Sequence, residues 1–175
     1  KLIASYLEIL EDLLLGVRLQ VFSHRAKRRV KSHPKFFLFD SGVARSLRPR
    51  GPLDLESEIE GAGLETLFFH HHRALGEFVS WDQQLYFWKT ANNAEVDFVS
   101  YGSLGLFAFE VKRSTIVTSD DMAELKLFKR DYPIAKLFLL YGGNEEHQID
   151  GISILPLEAA LRKLPEIFGV SLGAK

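Results

Sequence analysis

Glu95-Val96-Asp97-Phe98-Val99-Ser100-Tyr101-Gly102-Ser103-Leu104-Gly105-Leu106-Phe107-Ala108-Phe109-Glu110-Val111-Lys112 is the stretch whose reading decides the fold. Apolar and polar residues alternate on each side of Gly102-Ser103-Leu104-Gly105, which predicts two strands joined by a turn. Side chains two apart on a strand share a face, so Glu95 and Asp97 are expected on one side and Val96 and Phe98 on the other. In the second strand Glu110 and Lys112 share a face, opposite Phe107, Phe109 and Val111. A core that seals those aromatics leaves carboxylates and an ammonium converging at one edge of the sheet. Three carboxylates grouped this closely repel one another and invite a cation. The bland alternative is a solvated strand face on which Glu110 and Lys112 simply pair.

The flanking sequence supplies context. Residues 61–76 predict a helix, residues 85–89 (Leu-Tyr-Phe-Trp-Lys) a strand, and residues 120–132 a second helix that ends before Pro133. Residues 136–141 return as a strand, and the apolar run 137–141 is typical of one buried on both faces. An Asp, about a dozen residues, then Glu-x-Lys resembles the PD-(D/E)xK nuclease superfamily. Helix, three strands, helix, strand is the core order of that superfamily, so the expected class is α/β with a restriction-endonuclease-like core. The resemblance implies that Asp97, Glu110 and the Val111 carbonyl hold a Mg²⁺ or Mn²⁺ ion. It implies that Lys112 orients the attacking water or stabilises the transition state. Glu65 on the first helix occupies the position of an assisting acid in that superfamily; its alternative is an ordinary surface glutamate. The implied reaction is phosphodiester hydrolysis, of DNA.

The whole chain has 175 residues, room for one sizeable core or one domain with a smaller companion. Its formal net charge of -1 gives no global electrostatic argument for nucleic acid, so only a local patch can make one. The absence of cysteine excludes disulfides and thiolate metal sites and fits a cytoplasmic location. No signal peptide and no uncharged apolar run of about 18 residues is present, so no membrane partner is expected. The Gly-x-x-x-x-Gly-Lys-Ser/Thr pattern is missing, which argues against ATP binding by that route within this stretch. The chain opens on Lys1 within a helical pattern, and a piece of a larger protein is the expectation.

From Leu2 to Leu14 apolar residues recur at helical spacing, with Glu8, Glu11 and Asp12 between them, and Gly16 reads as the stop. Residues 17–22 and 36–39 read as strands. Between them runs His24-Arg25-Ala26-Lys27-Arg28-Arg29-Val30-Lys31, the dense basic run of the chain. Helix, strand, basic turn, strand is how a winged helix ends, and Arg25, Lys27, Arg28, Arg29 and Lys31 are candidate phosphate contacts. A solvated loop or a contact with an acidic partner is the competing account. Asp40 or Ser41 caps a short helix. Arg48-Pro49-Arg50-Gly51-Pro52 is the clearest linker, which divides the chain into a partial winged-helix segment, 1–50, and a nuclease-like domain, 51–175.

The helix that begins near Glu58 carries Leu64, Leu67, Phe68, His71 and Leu75 as its apolar stripe. His70-His71-His72 suggests zinc at first sight. Consecutive residues on a helix diverge by about 100°, so the three cannot chelate one ion together. One packed and two solvated histidines are expected. Beyond the core, residues 149–155 read as an edge strand and 157–164 as a short closing helix.

Taken together, Tyr6-Leu7-Glu8-Ile9-Leu10-Glu11-Asp12, Pro34-Lys35-Phe36-Phe37-Leu38-Phe39-Asp40-Ser41-Gly42, Gly63-Leu64-Glu65, Tyr86-Phe87-Trp88-Lys89-Thr90, Glu95-Val96-Asp97-Phe98 and Glu110-Val111-Lys112 resemble the C-terminal region of a group of prokaryotic AAA+-type ATPases. The resemblance covers nearly the whole chain. It implies an ATPase module in the same full-length chain and DNA as a partner. Thr66 stands where the family often has Asn after its Glu, and the histidine run replaces more typical residues. A second function class competes with the nuclease: a non-catalytic scaffold that positions the ATPase on DNA or on a protein.

Overall fold

The computed structural model describes residues 2–171 apart from 29, 31–32, 48–50 and 52–55 and the side chains of 56–58. Helix α1 (Leu2–Asp12) leads into strand β1 (Gly16–Val21), followed by β2 (Lys35–Leu38) and α2 (Ser41–Leu47). The long helix α3 (Glu56–Val79) precedes β3 (Gln84–Lys89), β4 (Glu95–Gly102) and β5 (Gly105–Val111). A 3-10 turn over Asp120–Met122 opens α4 (Ala123–Asp131), and β6 (Lys136–Tyr141) follows. Strands β7 (His147–Ile149) and β8 (Ile152–Pro156) lead to α5 (Leu157–Arg162) and α6 (Leu164–Ile167).

All eight strands form one mixed sheet in the order β2-β1-β3-β4-β5-β6-β8-β7. The fold is mixed α/β. Strands β3, β4 and β5 follow one another as an antiparallel meander, whereas β6 pairs in parallel with β5. A parallel neighbour needs a crossover, and α4 provides it. β1 and β2 form an antiparallel hairpin, and the other edge of β1 pairs in parallel with β3 through Gln20↔Tyr86 and Val21↔Phe87. The sheet therefore runs without a break from the first segment into the second.

Two apolar layers sandwich this sheet. On one face Phe22, Trp88, Val99, Ala108 and Leu139 pack with Leu125 and Phe128 of α4. On the other, Phe37, Phe87, Phe98, Phe107, Phe109 and Leu140 pack with Phe68 and Phe69 of α3 and with Leu164 and Phe168. Each buried aromatic contributes roughly 1.5–3 kcal/mol by leaving water. Leu137 to Tyr141 is buried on both faces, as the apolar run predicts.

Local signals explain several ends. Val43 N–H donates to Asp40 Oδ1 at 2.9 Å, so Asp40 caps α2. Lys129 and Arg130 sit in the last turn of α4, where cations suit the helix dipole.

Four expectations need correction. The strict alternation along β4 fails: Val96 and Phe98 lie in opposite layers. A register shift between Tyr86↔Val99 and Trp88↔Val96 gives β4 one extra residue, a bulge beside Asp97. The apolar side of α3 is rotated, with Phe68, Phe69 and His72 buried and Leu67 exposed, because the helix beds on the Phe-rich layer. Residues 149–155 are not one edge strand; Asp150 and Gly151, both at positive φ, turn the chain so that β7 forms the edge. Gly16 begins β1 instead of ending α1, which stops at Asp12. No residue of α1 is fully buried, and the helix is tied to β1 by the ion pair of Glu11 with Arg18. Among the described residues no helix is long and apolar enough to cross a membrane.

Candidate functional site

The ladder of β4 and β5 ends on the pair Phe98↔Phe109, and Asp97 and Glu110 are the next residues on each strand. The Val111 N–H donates to Asp97 Oδ2 at 2.9 Å, which ties the aspartate to the main chain between Glu110 and Lys112. Lys112 Nζ lies 2.9 Å from Glu110 Oε1. The other oxygen, Glu110 Oε2, is buried and has no hydrogen-bond partner among the described residues. Directly after Lys112 the chain is pinned from both sides. Lys112 N–H donates to Leu140 O, and Gly142 N–H donates to Ser114 O. Arg113 reaches across to Glu60 of α3.

Helix α3 brings Glu65 to the same edge, and the start of β4 brings Glu95. A residue not foreseen as part of the site joins them. Lys35, from the far strand β2, lies 2.5 Å from Glu95 Oε1, 3.7 Å from Glu65 Oε2 and 4.0 Å from Asp97 Oδ1. Lys89 takes the other oxygen of Glu95. Four carboxylates and three ammonium groups thus form one cluster. No local signal marked Lys35, because its position depends on β2 reaching β3 through β1.

Burial dominates the electrostatics. Glu110, 5% exposed, has its pKa pushed up to about 8 by burial and then by the charge of Asp97, which Lys112 offsets only in part. Burial and Asp97 likewise push Glu65 up to about 7. The Asp97 carboxyl is raised by burial, against the pull of Lys35 and of the Val111 N–H. Glu95 goes the other way: burial opposes its charge, but hydrogen bonds from Lys35 and Lys89 outweigh that and lower its pKa. Lys35 and Lys112 are both raised, because the carboxylates around them outweigh the cost of burial. A cluster whose acids hold protons near neutrality has spare affinity for another cation.

The ligand types suit a hard ion, with oxygens from Asp97, Glu110 and the Val111 carbonyl. Among the described residues, however, no group of three or more His, Cys, Asp or Glu converges with metal-binding geometry. Any ion here would lean on two carboxylates, one main-chain oxygen and water.

The other candidates fare differently. Arg28 pairs with the buried Asp131 of α4 at 2.7 Å, so it fastens the basic loop to the core. Arg25 and Lys27 are exposed, whereas Arg29 and Lys31 lie outside the described residues. The histidines correct the expectation of two solvated rings. His70 Nε2 is 2.7 Å from Leu38 O and His71 Nε2 is 2.9 Å from Leu161 O, so both tie α3 to its neighbours. His72 is buried on Ser100 Oγ at 3.1 Å, and burial drives its pKa down to about 3. Lys126 and Lys129 are also engaged, with Asp150 and with the Ala135 carbonyl.

The model of a domain of unknown function, DUF4143, matches residues 60–160, more than half of the chain. The chain belongs to the DUF4143 family. The DUF4143 stretch holds Glu65, Glu95, Asp97, Glu110 and Lys112. A second model, of the domain of unknown function DUF8612, matches residues 1–56 and so takes in Lys35. No curated protein matches the chain at a significant level.

Proposed function

We propose that this DUF4143 domain is a nuclease-like module of the PD-(D/E)xK type, which hydrolyses phosphodiester bonds in DNA with a Mg²⁺- or Mn²⁺-type ion. One observation carries the reading: Asp97 and Glu110 flank the terminal pair Phe98↔Phe109 of β4 and β5, with Lys112 on Glu110 and the Val111 N–H on Asp97. The succession α3, β3, β4, β5, α4, β6 is also that of a restriction-endonuclease-like core. The unpartnered Glu110 Oε2 suits a cation.

Asp97, Glu110 and the Val111 carbonyl would hold the ion, which supplies charge neutralisation at the phosphate and a more acidic water. Lys112 keeps its proton, since its pKa is raised, and its ammonium can meet the charge that develops on the phosphate. Glu65 is poised to accept a proton near neutral pH. A cleft of about 420 Å³ lined by Arg45, Glu60 and Arg113 opens one residue beyond Lys112. Exposed Arg25 and Lys27 would add phosphate contacts.

Domains of this family commonly follow AAA ATPase domains in prokaryotic proteins. That supports reading this one as the companion of such an ATPase in the cytoplasm, acting where the motor is loaded. A second reading is favoured by Lys35. An ammonium already among Glu65, Glu95 and Asp97 offsets part of their charge without a metal, as a non-catalytic scaffold would require. DNA cleavage with Mg²⁺ or Mn²⁺ separates the two. Under the nuclease reading Lys112→Ala lowers the rate by about a hundredfold or more. Intact DNA after incubation of wild type with either ion supports the scaffold.

A further inference from the structure

Lys35 belongs to the stretch matched by DUF8612, yet its ammonium sits among the carboxylates of the DUF4143 stretch. Glu65 comes from α3 and Glu95 and Asp97 from β4, and all three lie within 4.0 Å of Lys35 Nζ. This is the arrangement a bound cation produces, in which one positive centre draws together acids from separate elements. The other ammonium groups have other duties: Lys89 meets Glu95 from the far side, and Lys112 meets Glu110.

The tether is short and firmly held. Lys35 pairs in register with Leu19 of β1, and β1 is hydrogen-bonded to β3. The Lys35 ammonium also lies 5.4 Å from the centre of the Phe87 ring, which fixes its approach. An ion that takes Asp97 must therefore displace this ammonium or tolerate it at close range.

We propose that Lys35 is a tethered counter-cation that competes with the divalent ion for Asp97, so that the first segment of the chain sets how tightly the site takes metal. The proposal rests on reading Asp97 and Glu110 as ion ligands. It makes the outer strand β2 a governor of the site: a shift that withdraws Lys35 strengthens ion binding, and a shift that seats it weakens binding. A neighbour that engages α1 or the basic loop would act on the ion through this strand.

The test is a calorimetric Mn²⁺ titration of the folded chain at neutral pH. Lys35→Gln removes the charge and keeps a polar side chain one methylene shorter, and is expected to tighten binding by about tenfold or more. Lys35→Arg keeps the charge and should stay near wild type. Equal Mn²⁺ affinity in wild type and Lys35→Gln overturns the proposal and leaves the ion ligands standing. Absence of binding in both, or binding indifferent to Asp97→Asn, removes the ion reading and the proposal with it. A measurement on wild type covers the case in which the variants do not fold. Acylation of the Lys35 amine, followed by mass spectrometry, should quicken several-fold at saturating Mn²⁺. An unchanged rate in protein that binds Mn²⁺ overturns the proposal.

Discussion

Asp97 Oδ2 accepts the main-chain N–H of Val111 at 2.9 Å, so a side chain of one strand closes a hydrogen bond that a backbone carbonyl would otherwise make. The bulge beside Asp97 is what frees it for this task. Asp97→Ala should leave the Val111 N–H unpaired and cost about 1–3 kcal/mol. Asp97→Asn keeps an acceptor and sheds a charge that burial disfavours, so it should cost less. Urea unfolding midpoints of the two variants check this. Equal loss in both would mean that the charge, not the hydrogen bond, holds the strands.

Stability should depend on pH in a defined sense. In the folded chain Glu110 and Glu65 hold protons up to about 8 and about 7, while an unfolded glutamate releases its own near 4.5. The folded state binds more protons across that interval, so stability falls as pH rises. His72 acts oppositely: its pKa drops from 6.5 to about 3, which adds stability with rising pH until about 6.5. Above 6.5 nothing from His72 compensates, so the fall should be steepest between about 6.5 and 7 and continue more gently up to about 8 on Glu110 alone. Glu110→Gln should flatten it by something on the order of 1 kcal/mol. Unfolding midpoints that climb steadily to pH 8 would contradict this account.

Phe98 tests the packing beneath the site. Its ring centre lies 4.9 Å from that of Phe68 on α3 and 5.8 Å from that of Phe37 on β2. Phe98→Ala should cost about 3–5 kcal/mol, since three elements would face the vacated space. Thermal unfolding measures it, and a loss below about 1 kcal/mol would show that the layer collapses readily around the gap.

The basic loop separates into structural and binding roles. Arg28→Ala strips the partner from buried Asp131 and should cost about 1–3 kcal/mol whatever the ligand. Replacing Arg25 and Lys27 together should leave stability nearly unchanged. If the loop lies on DNA, the same pair should reduce the salt dependence of binding by about one to two ions. Fluorescence anisotropy across a salt series reads this directly, and an unaltered slope removes those residues from the DNA contact.

The parts of the fold that were legible in the sequence are those decided over a few residues. Gly102 to Gly105 closes a hairpin because its register is local, and Phe107, Phe109 and Val111 duly share a layer. Asp40 announced a cap and became one. The bulge at Asp97 was hidden because it is a property of two strands, β3 and β4, and neither displays it alone. His70 looked like a solvated residue because its partner, Leu38 O, comes from a distant element, and His71 was placed on the apolar stripe although its ring reaches Leu161 O. The turn at Asp150-Gly151 did leave a signal, a dipeptide suited to positive φ, masked by the apolar rhythm on either side. In the site, Asp97, Glu110 and Lys112 could be grouped from spacing along one hairpin. Lys35 could not, since three strand pairings separate it from Asp97 across the sheet.

Strand β1 lies between β2 and β3, so the two stretches that family models distinguish share a single hydrogen-bonded ladder. Neither stretch closes the sheet without the other. A lineage that exchanged its first 56 residues for another version would import a new outer strand and, with it, a different charge next to Asp97. Divergence at that one position would retune the acids without touching any of them.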